Sequence, residues 1–134
     1  MEISPELLEQ VVAHAREEAP NECCGVLAVE ASSPVRAVRV HRAINTAASP
    51  LRFEIDGREV LGLIEAIESG GLELGAIYHS HTRTAPYPSQ TDINFAANWP
   101  GLEWVIIGLA TDEPEVRCYL IAGAEVREVA LEVR

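Results

Sequence analysis

The chain has 134 residues, 48% of them hydrophobic and 5% aromatic, and 21 acidic against 10 basic residues leave a formal net charge of −11. A chain of this length buries roughly two thirds of the surface its unfolded form exposes, so one domain over residues 1–134 is expected to fold without disulfides or a structural metal. The acidic balance without a basic cluster excludes nucleic acid, and no apolar run or N-terminal leader suits a membrane or secretion. Three cysteines, Cys23, Cys24 and Cys118, with no C-x-x-C pattern point to a reducing compartment, the cytoplasm.

Leu7, Leu8, Val11, Val12, Ala15 and Ala19 recur at the helical period and predict a first helix, with Ser4 as N-cap, Pro5 at the first position and Pro20-Asn21 as its stop. Residues 23–29 and 35–41 read as strands joined through the turn residues 31–34, hence as a hairpin. Residues 51–55 alternate as a short strand. Residues 58–69 carry Val60, Leu61, Leu63, Ile64 and Ile67 at helical spacing and close at Gly70-Gly71. A strand over 72–81, a loop over 82–88 and a short helix from Ser89 follow. Segments 102–110, 116–121 and 126–133 read as a meander of antiparallel strands. The pattern predicts an α/β fold, a mixed sheet with helices packed on it.

Chemistry concentrates in Tyr78-His79-Ser80-His81 and Ser89-Gln90-Thr91-Asp92. Residues i and i+2 of a strand point to one side, so His79 and His81 can present two imidazoles to one point. Two imidazoles and a carboxylate, with one position left to water, form the ligand set of a catalytic zinc, and Asp92 could supply the carboxylate. Each half also has a plain reading. Ser89 and Asp92 suit an ordinary helix start, and two histidines at this spacing also occur in cores and on surfaces. Glu22, after Pro20-Asn21 at the entry to a strand, supplies a further acid.

His-x-His, seven residues, then Ser-x-x-Asp, with an upstream Glu22 before Cys24-Gly25-Val26-Leu27, resembles the JAMM motif of the MPN+ metallopeptidases. The likeness covers nearly the whole chain. Short connections leave no room for the insertions of the deubiquitinating members, and the sequence is more similar to the small bacterial Mec-type peptidases. The resemblance implies the MPN fold, a mixed sheet sandwiched by helices and similar to that of the cytidine deaminases, although the H-x-E and P-C-x-x-C deaminase signature is missing. It implies Zn2+ held by His79, His81 and Asp92, Glu22 as general base, and Ser89 as oxyanion donor in competition with its capping role. It implies as substrate a ubiquitin-like sulfur-carrier protein losing a C-terminal cysteine during cysteine biosynthesis. A homodimer is left open.

Two other functions stand beside this one: an isopeptidase that removes ubiquitin-like modifiers, and a scaffold whose zinc is closed by Glu22 or Cys24. An extended substrate tail is expected on a sheet edge, with residues 82–87 at the mouth. Arg83 or Arg52 is a candidate for a terminal carboxylate, against the plainer reading of solvated surface charge. Cys23 and Cys24 should face opposite sides of their strand. A thiol peptidase using Cys24 has no paired motif in its support, and His14 and His41 read as exposed residues. The chain lacks G-x-S-x-G, a phosphate-cradling glycine loop and H-E-x-x-H.

Overall fold

The computed structural model describes residues 1–32 and 35–134, so Ser33 and Pro34, half of the expected turn, lie outside the described residues. The elements in chain order are β1 (Glu2–Ile3), α1 (Pro5–Glu18), β2 (Cys24–Glu30), β3 (Arg36–Ala43), α2 (Gly57–Ser69), β4 (Glu73–His81), α3 (Gln90–Ala96), β5 (Glu103–Gly108), β6 (Glu115–Ala122), β7 (Glu125–Val129) and β8 (Glu132–Val133). Local chemistry sets the helix ends. Ser4 accepts a hydrogen bond from the Leu7 N–H at the start of α1, and Asp56 accepts from the Arg58 N–H at the start of α2. Gly71, at φ +76, carries the chain out of α2 in a conformation that favours glycine.

The strands form one mixed sheet in the order β7-β6-β5-β4-β2-β3-β1-β8. Strand β4 is central, antiparallel to β2 and parallel to β5. Helix α1 covers one face, where Val11 and Ala15 meet Cys23, Leu27, Tyr78, Val105 and Ile107. The other face lies under α2 and α3, where Ile67 and Ala96 join Cys24, Val26, Ile77, Trp104 and Ile106. Both layers are built of buried apolar side chains, and each fully buried isoleucine or leucine stabilises the fold by about 1.5–3 kcal/mol. The predicted opposition of Cys23 and Cys24 holds, one in each layer.

Three expectations change. Residues 51–55 are extended but belong to no strand, because Asn45 takes hydrogen bonds that a neighbouring strand would otherwise make: its Nδ2 donates to the Arg52 carbonyl and its Oδ1 accepts from the Glu54 N–H. The last predicted strand is two. β7 completes the meander with β5 and β6, whereas β8 crosses to the far edge and pairs with β1. Finally His14, expected on the surface, is buried within α1, where burial lowers its pKa, and its Nδ1 lies 2.7 Å from the Tyr78 hydroxyl. His41 is half-buried in β3 rather than exposed, and its Nε2 is buried without a hydrogen-bond partner.

Candidate metal centre

The alternation of β4 puts Ala76, Tyr78 and Ser80 toward α1 and Ile77, His79 and His81 toward α2 and α3. The chain leaves β4 through residues 82–88 and enters α3 with Ser89 as its N-cap. There the Ser89 hydroxyl accepts from the Asp92 N–H at 3.1 Å while Asp92 Oδ2 accepts from the Ser89 N–H at 2.9 Å. This reciprocal box orients the carboxylate. The same Oδ2 lies 3.1 Å from His79 Nε2 and 3.0 Å from His81 Nε2, and the two ring nitrogens are 3.2 Å apart. The helix-start reading of Ser89 and Asp92 and the ligand reading of Asp92 thus describe one arrangement.

The donor set suits a divalent cation. His79, His81 and Asp92 each offer one ligand atom, all within 4.8 Å of one another and all buried. The Ala85 carbonyl, 3.0 Å from His81 Nδ1, can accept a proton from that nitrogen, the tautomer that frees Nε2 as a ligand once a metal replaces its hydrogen bond to Asp92. His79 stacks on Phe53 with ring centroids 4.6 Å apart, and burial lowers its pKa, which keeps the imidazole neutral as a ligand must be. Burial opposes ionisation of Asp92, but the hydrogen-bonding imidazoles of His79 and His81 outweigh it and hold the carboxyl well below the usual carboxylate range. Among the described residues four buried side-chain atoms have no hydrogen-bond partner, His41 Nε2, Trp104 Nε1, His79 Nδ1 and Glu22 Oε1, and the last two belong to groups at this cluster.

Glu22 joins this group through the sheet register. Cys24 pairs with His79 across β2 and β4, and the Ser80 N–H donates to the Cys23 carbonyl, so Glu22 falls opposite His81 and on its side of the sheet. Its backbone is held on both sides, the N–H donating to the Ser49 carbonyl at 2.9 Å and the carbonyl accepting from Asn45 Nδ2 at 3.0 Å. Burial pushes the carboxyl pKa up to about 7; His81 draws it down and Asp92 adds to the rise. Glu22, His81 and Ser89 line one cavity with Leu51, Thr82, Arg83 and Thr84, so the near half of the predicted mouth is in place. Tyr87 packs on Tyr119 instead.

Other side chains that support the site carry no sequence signature. Asn45 ties Glu22 to residues 52–54. Tyr119 donates from its hydroxyl to the Pro86 carbonyl, and Pro86 lies against Gly108, where an added Cβ would come within 2.7 Å of the ring. Together they pin the loop whose Ala85 carbonyl orients His81. The expected sheet-edge docking finds no edge here, since both flanks of β4 are filled and the sheet ends at β7 and β8. Cys24 is buried, and burial pushes its thiol up to about 12, far from the thiolate that a cysteine nucleophile needs.

A mixed sheet between helices, with a buried His-His-Asp group at the end of its central strand and a buried glutamate beside it, defines an α/β domain equipped to hold a metal ion. The chain belongs to the family of prokaryotic homologs of the JAB domain, which matches residues 4–122. It is 37% identical over 137 residues to the CysO-cysteine peptidase of Mycobacterium bovis, covering 98% of this chain and 89% of that protein. It is 34% identical over 139 residues to the desampylase of Haloferax volcanii, covering 99% and 96%. The solution structure of a protein from Desulfitobacterium hafniense matches it at a TM-score of 0.90 and 31% identity, covering 99% of this chain and 92% of that one.

Proposed function

We propose that the protein is a zinc-dependent peptidase that hydrolyses the bond after the C-terminal Gly-Gly of a ubiquitin-like sulfur-carrier protein and releases a terminal residue, cysteine. The observation that carries this reading is the convergence of His79, His81 and Asp92 beside Glu22, a buried carboxyl without a partner that lines the same cavity as His81 and Ser89. The names of the similar proteins, a CysO-cysteine peptidase and a desampylase, support the substrate class.

His79, His81 and Asp92 would hold the zinc, which supplies a Lewis acid and brings the pKa of a water from its bulk value to about 7. Glu22 acts as the general base: with a carboxyl pKa near neutrality it takes a proton from the attacking water and gives it to the leaving amine. Ser89 caps α3 with an oxygen lone pair, which leaves its hydroxyl proton free to donate to the oxyanion of the scissile carbonyl. The extended segment 51–55 borders the site on two sides and offers the tail a backbone to lie along.

The scaffold reading needs a fourth protein ligand to close the zinc. Among the described residues the clustered ligand atoms come from His79, His81 and Asp92, and neither Glu22 nor Cys24 joins them. That favours an open, catalytic position. The test is intact-mass spectrometry of a ubiquitin-like sulfur carrier ending in Gly-Gly-Cys, incubated with the zinc-loaded protein. A loss of one cysteine, blocked by a chelator and by Glu22→Gln, is the expected result. An unchanged carrier with zinc present in the protein would move the function to isopeptide substrates or to assembly.

A further inference from the structure

Glu22 borders two small cavities. One, of about 130 Å³, is walled by Glu18, Asn21 and Asn45 and has no basic side chain. The other, of about 140 Å³, also holds His81 and Ser89, and its basic wall is Arg83. A third and larger cavity, of about 270 Å³, lies on the Asp92 side between Phe53 and Phe95. Its arginine, Arg52, is ion-paired with Glu54. Among the described residues Arg83 has no carboxylate within 4.0 Å, as is also true of Arg16, Arg39, Arg58 and Arg127, but of these five Arg83 is the one that lines a cavity with Glu22, His81 and Ser89.

We propose that Arg83 recognises the free α-carboxylate of a small C-terminal residue leaving through the 140 Å³ cavity, so that the enzyme trims single terminal residues in preference to opening isopeptide bonds. This rests on the peptidase reading above. Two physical facts select the cavity. A cavity of roughly 150 Å³ holds a benzene-sized molecule, which matches one small amino acid and not a protein surface; the tail of the carrier requires the larger groove beside residues 52–54. A carboxylate entering beside Glu22 and Asp92 in a chain of net charge −11 is repelled unless a cation meets it, and a guanidinium meets a carboxylate with two parallel hydrogen bonds. The cavity walled by Glu18 cannot do this.

In the reaction, water is the co-reactant. Its oxygen bonds to the glycine carbonyl carbon, the C–N bond breaks, and the proton taken up by Glu22 passes to the departing amine. The products are the carrier ending in a glycine carboxylate and the free amino acid, whose own carboxylate has stayed with Arg83 throughout. An isopeptide-linked lysine brings no such carboxylate to this position.

The test compares two forms of the ubiquitin-like sulfur carrier ending in Gly-Gly-Cys, the free acid and the terminal carboxamide. Hydrolysis is followed with the zinc-loaded protein, and binding is followed by calorimetry with the Glu22→Gln protein, which needs no turnover. The expected result is a KM and a Kd about tenfold higher for the carboxamide with kcat changed less than threefold. Arg83→Gln should bring the acid to the carboxamide's values, and Arg83→Lys should fall between. Equal binding of acid and carboxamide, or a preference that survives Arg83→Gln, overturns the inference, and continued hydrolysis in that case leaves the peptidase reading standing. An Arg83-dependent binding preference without hydrolysis keeps the inference and removes the peptidase reading. Neither binding nor hydrolysis removes both.

Discussion

Strand β4 carries four consecutive polar side chains, Tyr78, His79, Ser80 and His81, and its two faces treat them in opposite ways. Toward α1 every polar group has a protein partner. The Tyr78 hydroxyl meets His14 Nδ1 at 2.7 Å, and Ser80 Oγ accepts from the Cys23 N–H at 2.8 Å. Gly25 makes room for the tyrosine, since a Cβ there would lie 2.3 Å from its ring. Toward α2 and α3 three ligand atoms converge on one point, and among the described residues Glu22 and His79 keep buried atoms without a partner, as does Trp104 Nε1 in the same layer. The lesson is that burial of polar groups does not by itself mark a site. A closed network stiffens the core, whereas a cluster of acceptors left open, at a cost in stability, is there to bind something.

The sharpest way to break the comparison is Asp92→Ala. It removes both a ligand atom and half of the helix cap, so the protein should lose its metal to a chelator and its hydrolysis to background. Metal content by atomic emission, unchanged from wild type, would reduce Asp92 to a capping residue. Glu22→Gln comes next: turnover should fall by about 10²- to 10⁴-fold, the range for a lost general base, with metal content intact. If the metal is lost as well, Glu22 is a ligand rather than a base.

On the opposite face, Tyr78→Phe leaves His14 Nδ1 buried without its partner and should destabilise the protein by about 1–3 kcal/mol in urea unfolding. Its kcat should stay within twofold of wild type. A collapse of kcat would show that the two faces are coupled. A pH dependence of the metal-free protein, of a size similar to the Tyr78→Phe effect, completes the series. Burial raises the Glu22 pKa from 4.5 to about 7, so the folded state holds this proton more tightly than the unfolded chain. The resulting stability is fully present below pH 4.5, declines as pH rises toward 7 and is gone above it. In Glu22→Gln, urea midpoints at pH 5 and pH 7.5 should differ less than they do in wild type. An equal difference in both proteins would mean that Glu22 titrates normally.

The isopeptidase alternative meets the same comparison from the substrate side. Two small cavities and one wider groove surround the open cluster, and only the cavity holding His81 and Ser89 adds a basic side chain to Glu22. Under the proposal above, a site shaped in this way would discriminate at the leaving residue, through the charge it carries and the space it needs.

Much of this was legible in the residues alone. The helical period and the Ser4 and Ser89 caps are local, since hydrogen bonds within three or four residues decide them, and helices α1 and α3 begin where the caps stand. His79 and His81 share a side because the strand period is two. His14 had a local signal too, lying on the apolar stripe of α1 between Val11 and Ala15, but only Tyr78 of a distant strand shows why a histidine belongs there. Segment 51–55 alternates like a strand, yet the Asn45 side chain takes the hydrogen bonds that a ladder requires. Strands β1 and β8 are two residues each, too short for any period, and exist because the chain ends meet. The sequence by itself determined the ligand types, their spacing and the elements that bear them. Only the tertiary structure decided that Glu22 faces His81, that Tyr119 and Gly108 hold the loop behind it, and which arginine at the mouth is free, because register, packing and ion pairing join residues that are far apart in the chain.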